Sequence, residues 1–278
     1  MSQSTTVRDA VLRAPSHSAD GLRGEMAVAW RVGWQLFRKG LQAGYRQSLL
    51  GYLWLLLPPL ATAGLWIALS RARVLQVGRT EIPYPLFVLS GTVLWQLFVD
   101  SLNAPLRSLT ASRAILTKTR IPHEAVLIAG VLEALFGFAV RLAVLFPVLA
   151  WYGVGISASL LLVPLGIFSL VTLGFGIGLA LAPAGMLYTD VSRGLTLAAG
   201  LGYFLTPIVY PLPASGPATA LGVLNPVAPL LVATRGWLTG GALLPPRGFG
   251  IVAALSVGVL ALAWWGYRAA RPHLVSRL

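Results

Sequence analysis

The stretch AGYRQSLLGYLWLLLPPL, residues 43–60, sets a polar, basic cluster (Tyr45, Arg46, Gln47, Ser48) against an uncharged apolar run that ends in two prolines. Such a run belongs either to a soluble core or to a bilayer, and the composition decides between them. Of the 278 residues, 56% are hydrophobic and 10% are charged, and the mean hydropathy is +0.78. Soluble domains carry about 25% charged residues. A deficit of that size means that lipid, not water, solvates most of the chain, so the run opens a membrane span.

A helix crossing a hydrocarbon core of about 30 Å needs roughly 20 apolar residues, fewer where the bilayer thins. Six segments fit: 51–70, 84–99, 125–151, 158–181, 195–210 and 248–267, the second and fifth being short. The sequence thus predicts an all-α membrane protein of six transmembrane helices, with the transmembrane domain at 49–267. Residues 1–24 are polar and have no apolar stretch of the kind a secretory signal needs. They read as a mobile cytoplasmic tail, with a second tail at 268–278.

The net charge of +13 is a topology signal. Of the 21 Lys and Arg residues, seven precede the first span, four follow the second, one follows the fourth and three follow the sixth. Five fall on the opposite side, and Arg141 lies inside a span. An excess of cations marks the cytoplasmic face and orients both termini inward, where they meet anionic headgroups. No basic soluble domain is visible, which excludes the nucleic-acid reading of the charge.

Before the first span, Met26, Trp30, Trp34, Phe37, Leu41 and Tyr45 recur at helical spacing, with Arg31, Arg38, Lys39, Gln42 and Arg46 on the adjoining face. With no soluble core for it to pack on, residues 25–48 read as an amphipathic interfacial helix. Arg46, Gln47 and Ser48 then mark its turn into the bilayer, where Arg46 reaches headgroups and Gln47 and Ser48 satisfy backbone groups opened by the bend. Pro58-Pro59 break the helix ladder within the first span.

The loop at 101–118 is long enough for a short helix capped by Asp100 or Ser101, with a weak stripe of Leu102, Leu106, Leu109 and Leu116. It is either an ordinary connection or a helix that docks on a cytoplasmic partner. Glu133 and Arg141 are the clearly intramembrane charges. At eight residues' separation they stand about 12 Å apart along the helix and about 80° around it, so they do not pair directly. Each faces a neighbouring helix or a wet cavity, in a structural contact or along a transport path. Gly174 and Gly178 have the GxxxG spacing of close helix packing, and the AAGLG of residues 198–202 reads the same way. Residues 217–238 are broken by Asn225, Pro226, Pro229 and Arg235 and read as two short pieces dipping into the outer leaflet, shaping an opening or forming a packed cap.

The chain has no cysteine, no metal-ligand spacing, no serine with a credible His/Asp neighbour and no phosphate-binding GxxxxGK[ST] loop. It therefore reads as binding no cofactor and hydrolysing no ATP itself. A membrane glycosyltransferase would need clustered acids or histidines at an interface, which this chain lacks.

The ordered series YRQSLLGYLW with a following Pro-Pro, FVLSGTVLWQLFVDSL, LTKTRIPHEAVLIAGVLEAL, MLYTDVSRGL, YFLTPIVYP and LNPVAPLLVATRGWLTG resembles the permease (transmembrane) subunits of ABC-type polysaccharide exporters, which move O-antigen, capsule or teichoic-acid polymers. The resemblance covers roughly residues 26–267. It implies a homodimer in the bacterial cytoplasmic (inner) membrane, two copies of a separate ATPase subunit carrying ATP and Mg, and a lipid-linked polysaccharide substrate moving along the dimer interface. It places Tyr45, Arg46 and Gln47 at the cytoplasmic entrance, where Arg46 either meets the pyrophosphate of the substrate or anchors to bulk lipid. It makes 101–118 the coupling helix, with Ser101, Leu102, Leu106, Arg107 and Arg113 toward the ATPase. It makes 217–238 the outer re-entrant segment, with Asn225, Pro226, Pro229 and Arg235. Trp54, Trp66, Trp95 and Tyr210 are the channel aromatic candidates, since sugar rings stack on aromatic faces. In YTDV the family's usual arginine between Tyr and Asp is Thr189 here, with Arg193 nearby, and Asp190 is retained as a candidate. The other readings are a permease for a small lipid, drug or haem, against which stands the continuous motif series, and a non-transporting membrane scaffold, which would not need a re-entrant segment.

Overall fold

The computed structural model describes residues 19–46, 51–72, 80–118, 121–211, 225–245 and 248–275, and every regular element among them is a helix. We number them α1 (Ala19–Arg46), α2 (Leu57–Arg71), α3 (Tyr84–Ala111), α4 (Arg113–Lys118), α5 (His123–Trp151), α6 (Val163–Leu187), α7 (Thr189–Leu205), α8 (Val227–Leu238) and α9 (Phe249–Val275), with 3₁₀ turns at Gly51–Leu55 and Ala158–Leu162. Proline stands in the first turn of α2, α3 and α6, where its missing N–H costs nothing and its fixed φ favours the helix. α5 ends where Gly153 takes φ +73° and its N–H bonds the Ala150 carbonyl at 3.0 Å, a left-handed cap that a side chain would strain.

Four segments are long and apolar enough to cross a membrane: Tyr84–Ala111, His123–Trp151, Ala158–Leu187 and Phe249–Arg271. The chain is a multi-pass membrane protein. The expected spans at 51–70 and 195–210 emerge as α2, of 15 residues, and α7, of 17. At 1.5 Å per residue these are about 22 and about 26 Å long, shorter than a hydrocarbon core of about 30 Å.

The core is built around α3, which is buried continuously from Leu86 to Trp95. α6 runs parallel to it. A Cβ on Gly174 would lie 2.7 Å from the Phe98 carbonyl oxygen, one on Gly178 would strike the Leu102 carbonyl, and one on Gly185 would lie 2.6 Å from Leu106 Cδ1. The GxxxG spacing therefore marks a true helix seam. On the far side α5 runs antiparallel to α3, and a Cβ on Gly130 would come within 2.9 Å of Ser108 Oγ. Gly176 lets Leu260 of α9 approach α6. In the second glycine motif, Gly202 faces Trp95 whereas Gly200 meets open space, so only one of the two closes a seam.

α1 lies along α5. Ala29, Val32 and Phe37 are buried there, Gly33 touches the Ala125 carbonyl, and Phe37 meets Phe136 at 6.1 Å. Met26, Trp30 and Trp34 stay exposed, whereas Phe37, read as part of the same stripe, is buried. Small residues let the two helices close up, so the docking face is the one bearing Ala29 and Gly33, and the tryptophans face away.

Candidate functional site

α1 closes with Tyr45 and Arg46, and Gln47 lies outside the described residues. The backbone resumes at Gly51, at φ +50°, winds through the 3₁₀ turn and reaches α2 after one turn residue, Leu56. The expected break at Pro58-Pro59 is therefore a fresh helix start, with both prolines in its first turn.

Arg141 sits beside this turn. Its Nε donates to the Leu55 carbonyl at 3.2 Å, and its Nη1 donates to Asp100 Oδ2 at 2.7 Å. Asp100 Oδ1 accepts from Gln96 Nε2 at 3.0 Å. The Arg141 side chain is 5% exposed and that of Asp100 17%. Asp100, read from the sequence as a helix cap, is thus the counter-ion of an intramembrane cation. The signal was present in Gln96 and Asp100 at i, i+4 on one helix face, but nothing local tied that face to Arg141. Glu133 does not pair with Arg141, as their spacing required. It meets Arg107 Nη2 at 3.5 Å in a half-exposed contact, beneath Gly40 of α1, where a Cβ would lie 2.9 Å from Glu133 Oε1.

The stretch expected to form a separate coupling helix divides in two. α3 runs on unbroken to Ala111, so Ser101, Leu102 and Leu106 are buried core residues. Ser101 Oγ donates to the Leu97 carbonyl at 2.7 Å, and the other two pack against α6. The chain turns at Ser112, and α4 follows as the separate helix. Arg107 and Arg113 are exposed. The apolar stripe was real, but it faces the core.

On the opposite side, Thr206–Pro211 and α8 are tied together by Asn225 and Arg235; residues 212–224, with the first part of the expected re-entrant segment, lie outside the described residues. Asn225 Nδ2 donates to Thr206 Oγ1 at 2.8 Å, and its Oδ1 accepts from the Val227 N–H at 2.9 Å, an Asx turn that leads the chain into α8. Pro226 precedes the helix and is exposed; Pro229 is half-buried within it. Arg235, 6% exposed, donates from Nη1 to the Pro207 carbonyl at 2.9 Å. Its guanidinium lies 3.7 Å from the centroid of the Phe87 ring, a cation–π contact. α8 is further held by Ser159 Oγ, which donates to the Trp237 carbonyl at 2.9 Å, and by Trp237 stacking edge-on against Phe249.

Three of the four aromatic candidates gather near α7. Trp95 is buried and packs on Phe98 and Tyr203. Trp66 meets Phe204 edge-on at 6.3 Å, and the Tyr210 hydroxyl donates to the Phe204 carbonyl at 2.9 Å. Trp54 stands apart, 55% exposed in the 3₁₀ turn.

Asp190 pairs with Arg193 at 3.3 Å, both almost fully exposed. An exposed i, i+3 pair contributes little, so Asp190→Asn is expected to change thermal stability by less than about 0.5 kcal/mol, read as an unshifted melting profile of the detergent-solubilised chain.

Two pairs that the sequence reading missed join the beginning of α5 to the end of α9. His123 Nδ1 and the Tyr267 hydroxyl are 2.7 Å apart, and Arg271 Nη1 meets Glu124 Oε1 at 3.3 Å. Separations of 144 and 147 residues hide both from any local pattern. Among the described residues no three His, Asp or Glu side chains come together to hold a metal.

No family model matches the chain. It is similar to the O-antigen export system permease protein RfbA of Klebsiella pneumoniae, 30% identical over 174 residues, 62% of this chain and 66% of that protein. A second Klebsiella pneumoniae protein of the same name is 29% identical over the same shares. RfbA of Myxococcus xanthus is 26% identical over 200 residues, 70% of this chain and 75% of that protein. The chain thus matches just under two thirds of the length of the Klebsiella relatives. With this shared sequence and four apolar helices fit to cross a bilayer, the chain is similar over most of its length to proteins named as O-antigen export permeases.

Proposed function

We propose that the chain is the transmembrane subunit of an ATP-driven exporter that moves a lipid-linked polysaccharide across the bacterial cytoplasmic membrane. The observation that carries this reading is the sequence shared with three proteins named as O-antigen export permeases. The chain works as a homodimer with two copies of a separate ATPase, which holds ATP and Mg. The glycan passes along the dimer interface. Six crossings, with α2 and α7 completing the set where the bilayer thins, put both termini in the cytoplasm, as the fifteen-to-five division of cations supports. Tyr45, Arg46 and Gln47 form the entrance, and the aromatic group around Trp66, Trp95 and Tyr210 stands near the outer end of the path. ATP binding closes the ATPase dimer, α4 and the exposed end of α3 receive that motion, and the spans pass it to the channel.

The test uses the full chain co-expressed with a candidate ATPase subunit from the same genome. Copurification, with an ATPase rate raised by an undecaprenyl-linked glycan, is expected. Thr110→Asp with Arg113→Glu alters the exposed surface around α4 without touching the buried Ser101, Leu102 or Leu106. It is expected to abolish the stimulation and leave the permease's melting profile unchanged. Copurification without a response to any glycan lipid would overturn the substrate, and a chain that retains no ATPase would overturn the transporter.

A further inference from the structure

We propose that Arg141 and Asp100 are positioning residues that fasten the turn Gly51–Leu55 to the spanning helices, because Pro58-Pro59 leave the Leu55 carbonyl without a backbone donor. The functional consequence rests on the proposed entrance at Tyr45–Gln47, which lies directly before this turn.

A helical carbonyl normally accepts from the N–H four residues on, or three residues on in a 3₁₀ turn. For Leu55 those residues are Pro59 and Pro58, and proline has no N–H. Inside a bilayer an unpaired carbonyl is expensive, because no water replaces the missing donor. Arg141 Nε supplies it at 3.2 Å. A guanidinium at that depth needs an anion, and Asp100 Oδ2 stands 2.7 Å from Nη1. The second carboxylate oxygen is then taken by Gln96. Each group in the chain Gln96–Asp100–Arg141–Leu55 answers a need created by the next, and the need begins with two prolines.

The four groups come from three separate pieces of backbone. Gln96 and Asp100 are on α3, Arg141 is on α5, and Leu55 closes the entrance turn. α3 also continues into the surface at Arg107 and, after Ser112, into α4. A displacement of α3 against α5 is therefore felt at the Leu55 carbonyl through two charge-assisted contacts. The fastening gives the proposed coupling surface a bonded route to the proposed entrance.

The chain has no native cysteine, so one reporter is clean. Leu55→Cys places a thiol on the fastened residue itself, half-buried in the closed turn and with its carbonyl unchanged, and its maleimide labelling rate is measured on the full chain in native membrane vesicles. Arg141→Lys keeps the charge for Asp100 but cannot also fork to Leu55. It is expected to raise the labelling rate about tenfold, the effect of losing one charge-assisted hydrogen bond from an opening equilibrium. Pro58→Ala with Pro59→Ala returns the backbone donors, and added to Arg141→Lys it is expected to bring the rate back within about twofold of the parent, as interacting sites should. Asp100→Asn with Arg141→Gln removes both charges together, so no lone ion remains to unfold the chain, yet the shorter amide falls short of Leu55; fast labelling is expected again. A parent-like rate in Arg141→Lys, or no restoration by the alanines, would overturn the proposal. The labelling needs no substrate, so a chain that ignores every glycan would sink the export reading and leave this result standing.

Discussion

Gly178→Val is expected to destabilise the folded chain strongly. A Cβ at this position strikes the Leu102 carbonyl, and a turn earlier Gly174 faces the Phe98 carbonyl at 2.7 Å. The obstacle is backbone on both counts, so no rotamer change on α3 makes room. Overpacking a core usually costs about 1–3 kcal/mol; here α3 and α6 must separate along their whole seam, and the upper end of that range or more is expected. At roughly 2–4 °C per kcal/mol for a chain of this size, the melting temperature should fall by about 10 °C. Fluorescence-detected size exclusion of a heated, detergent-solubilised fusion reads it directly. Gly258→Ala is the control, since nothing lies within 4 Å of the added methyl. A parent-like profile for Gly178→Val would mean that the two helices do not meet at this seam.

Asp100→Leu should cost nearly as much, for an electrostatic reason. It leaves the guanidinium of Arg141, 5% exposed, with a carbonyl but no counter-ion. Removing one member of a buried pair costs about 3–5 kcal/mol, whereas replacing both by apolar groups is often close to neutral. Asp100→Leu combined with Arg141→Met should therefore recover about 2 kcal/mol or more of the single variant's loss. The same melting assay measures it. Strictly additive losses would show that the two side chains do not depend on each other.

These two cases also show what a sequence can and cannot disclose about such a fold. The glycine seam was legible because GxxxG is a local spacing with one mechanical meaning in a bilayer. The spans were legible because length and apolarity act locally too. Arg141 was recognisable as an expensive charge, but its partner was not. Asp100 lay at the edge of a predicted short span, and α3 proved to run twelve residues further, from Val99 to Ala111. That extension also moved Ser101, Leu102 and Leu106 from a presumed docking surface into the core, since an apolar stripe on a helix does not say what it faces. For the same reason the contact of α1 with α5 went unread: Ala29 and Gly33 decide it by being small, while large side chains dominate any hydropathy reading. Arg235 was singled out as one of several breaks in an apolar segment. Only the fold shows it reaching across to the Pro207 carbonyl and the Phe87 ring.

The seam between α3 and α6 has a consequence for how such a chain diverges over generations. Exposed apolar positions such as Leu201, Leu262 and Trp265, all more than 60% exposed, touch little of the rest of the chain, so its own fold does not read their shape. Gly174 and Gly178 accept no side chain, because a single added carbon meets a carbonyl. The fold's own demand for exact shape is thus concentrated along one line through its centre, where two descendants must keep the same small residues to inherit the same interlocked pair of helices.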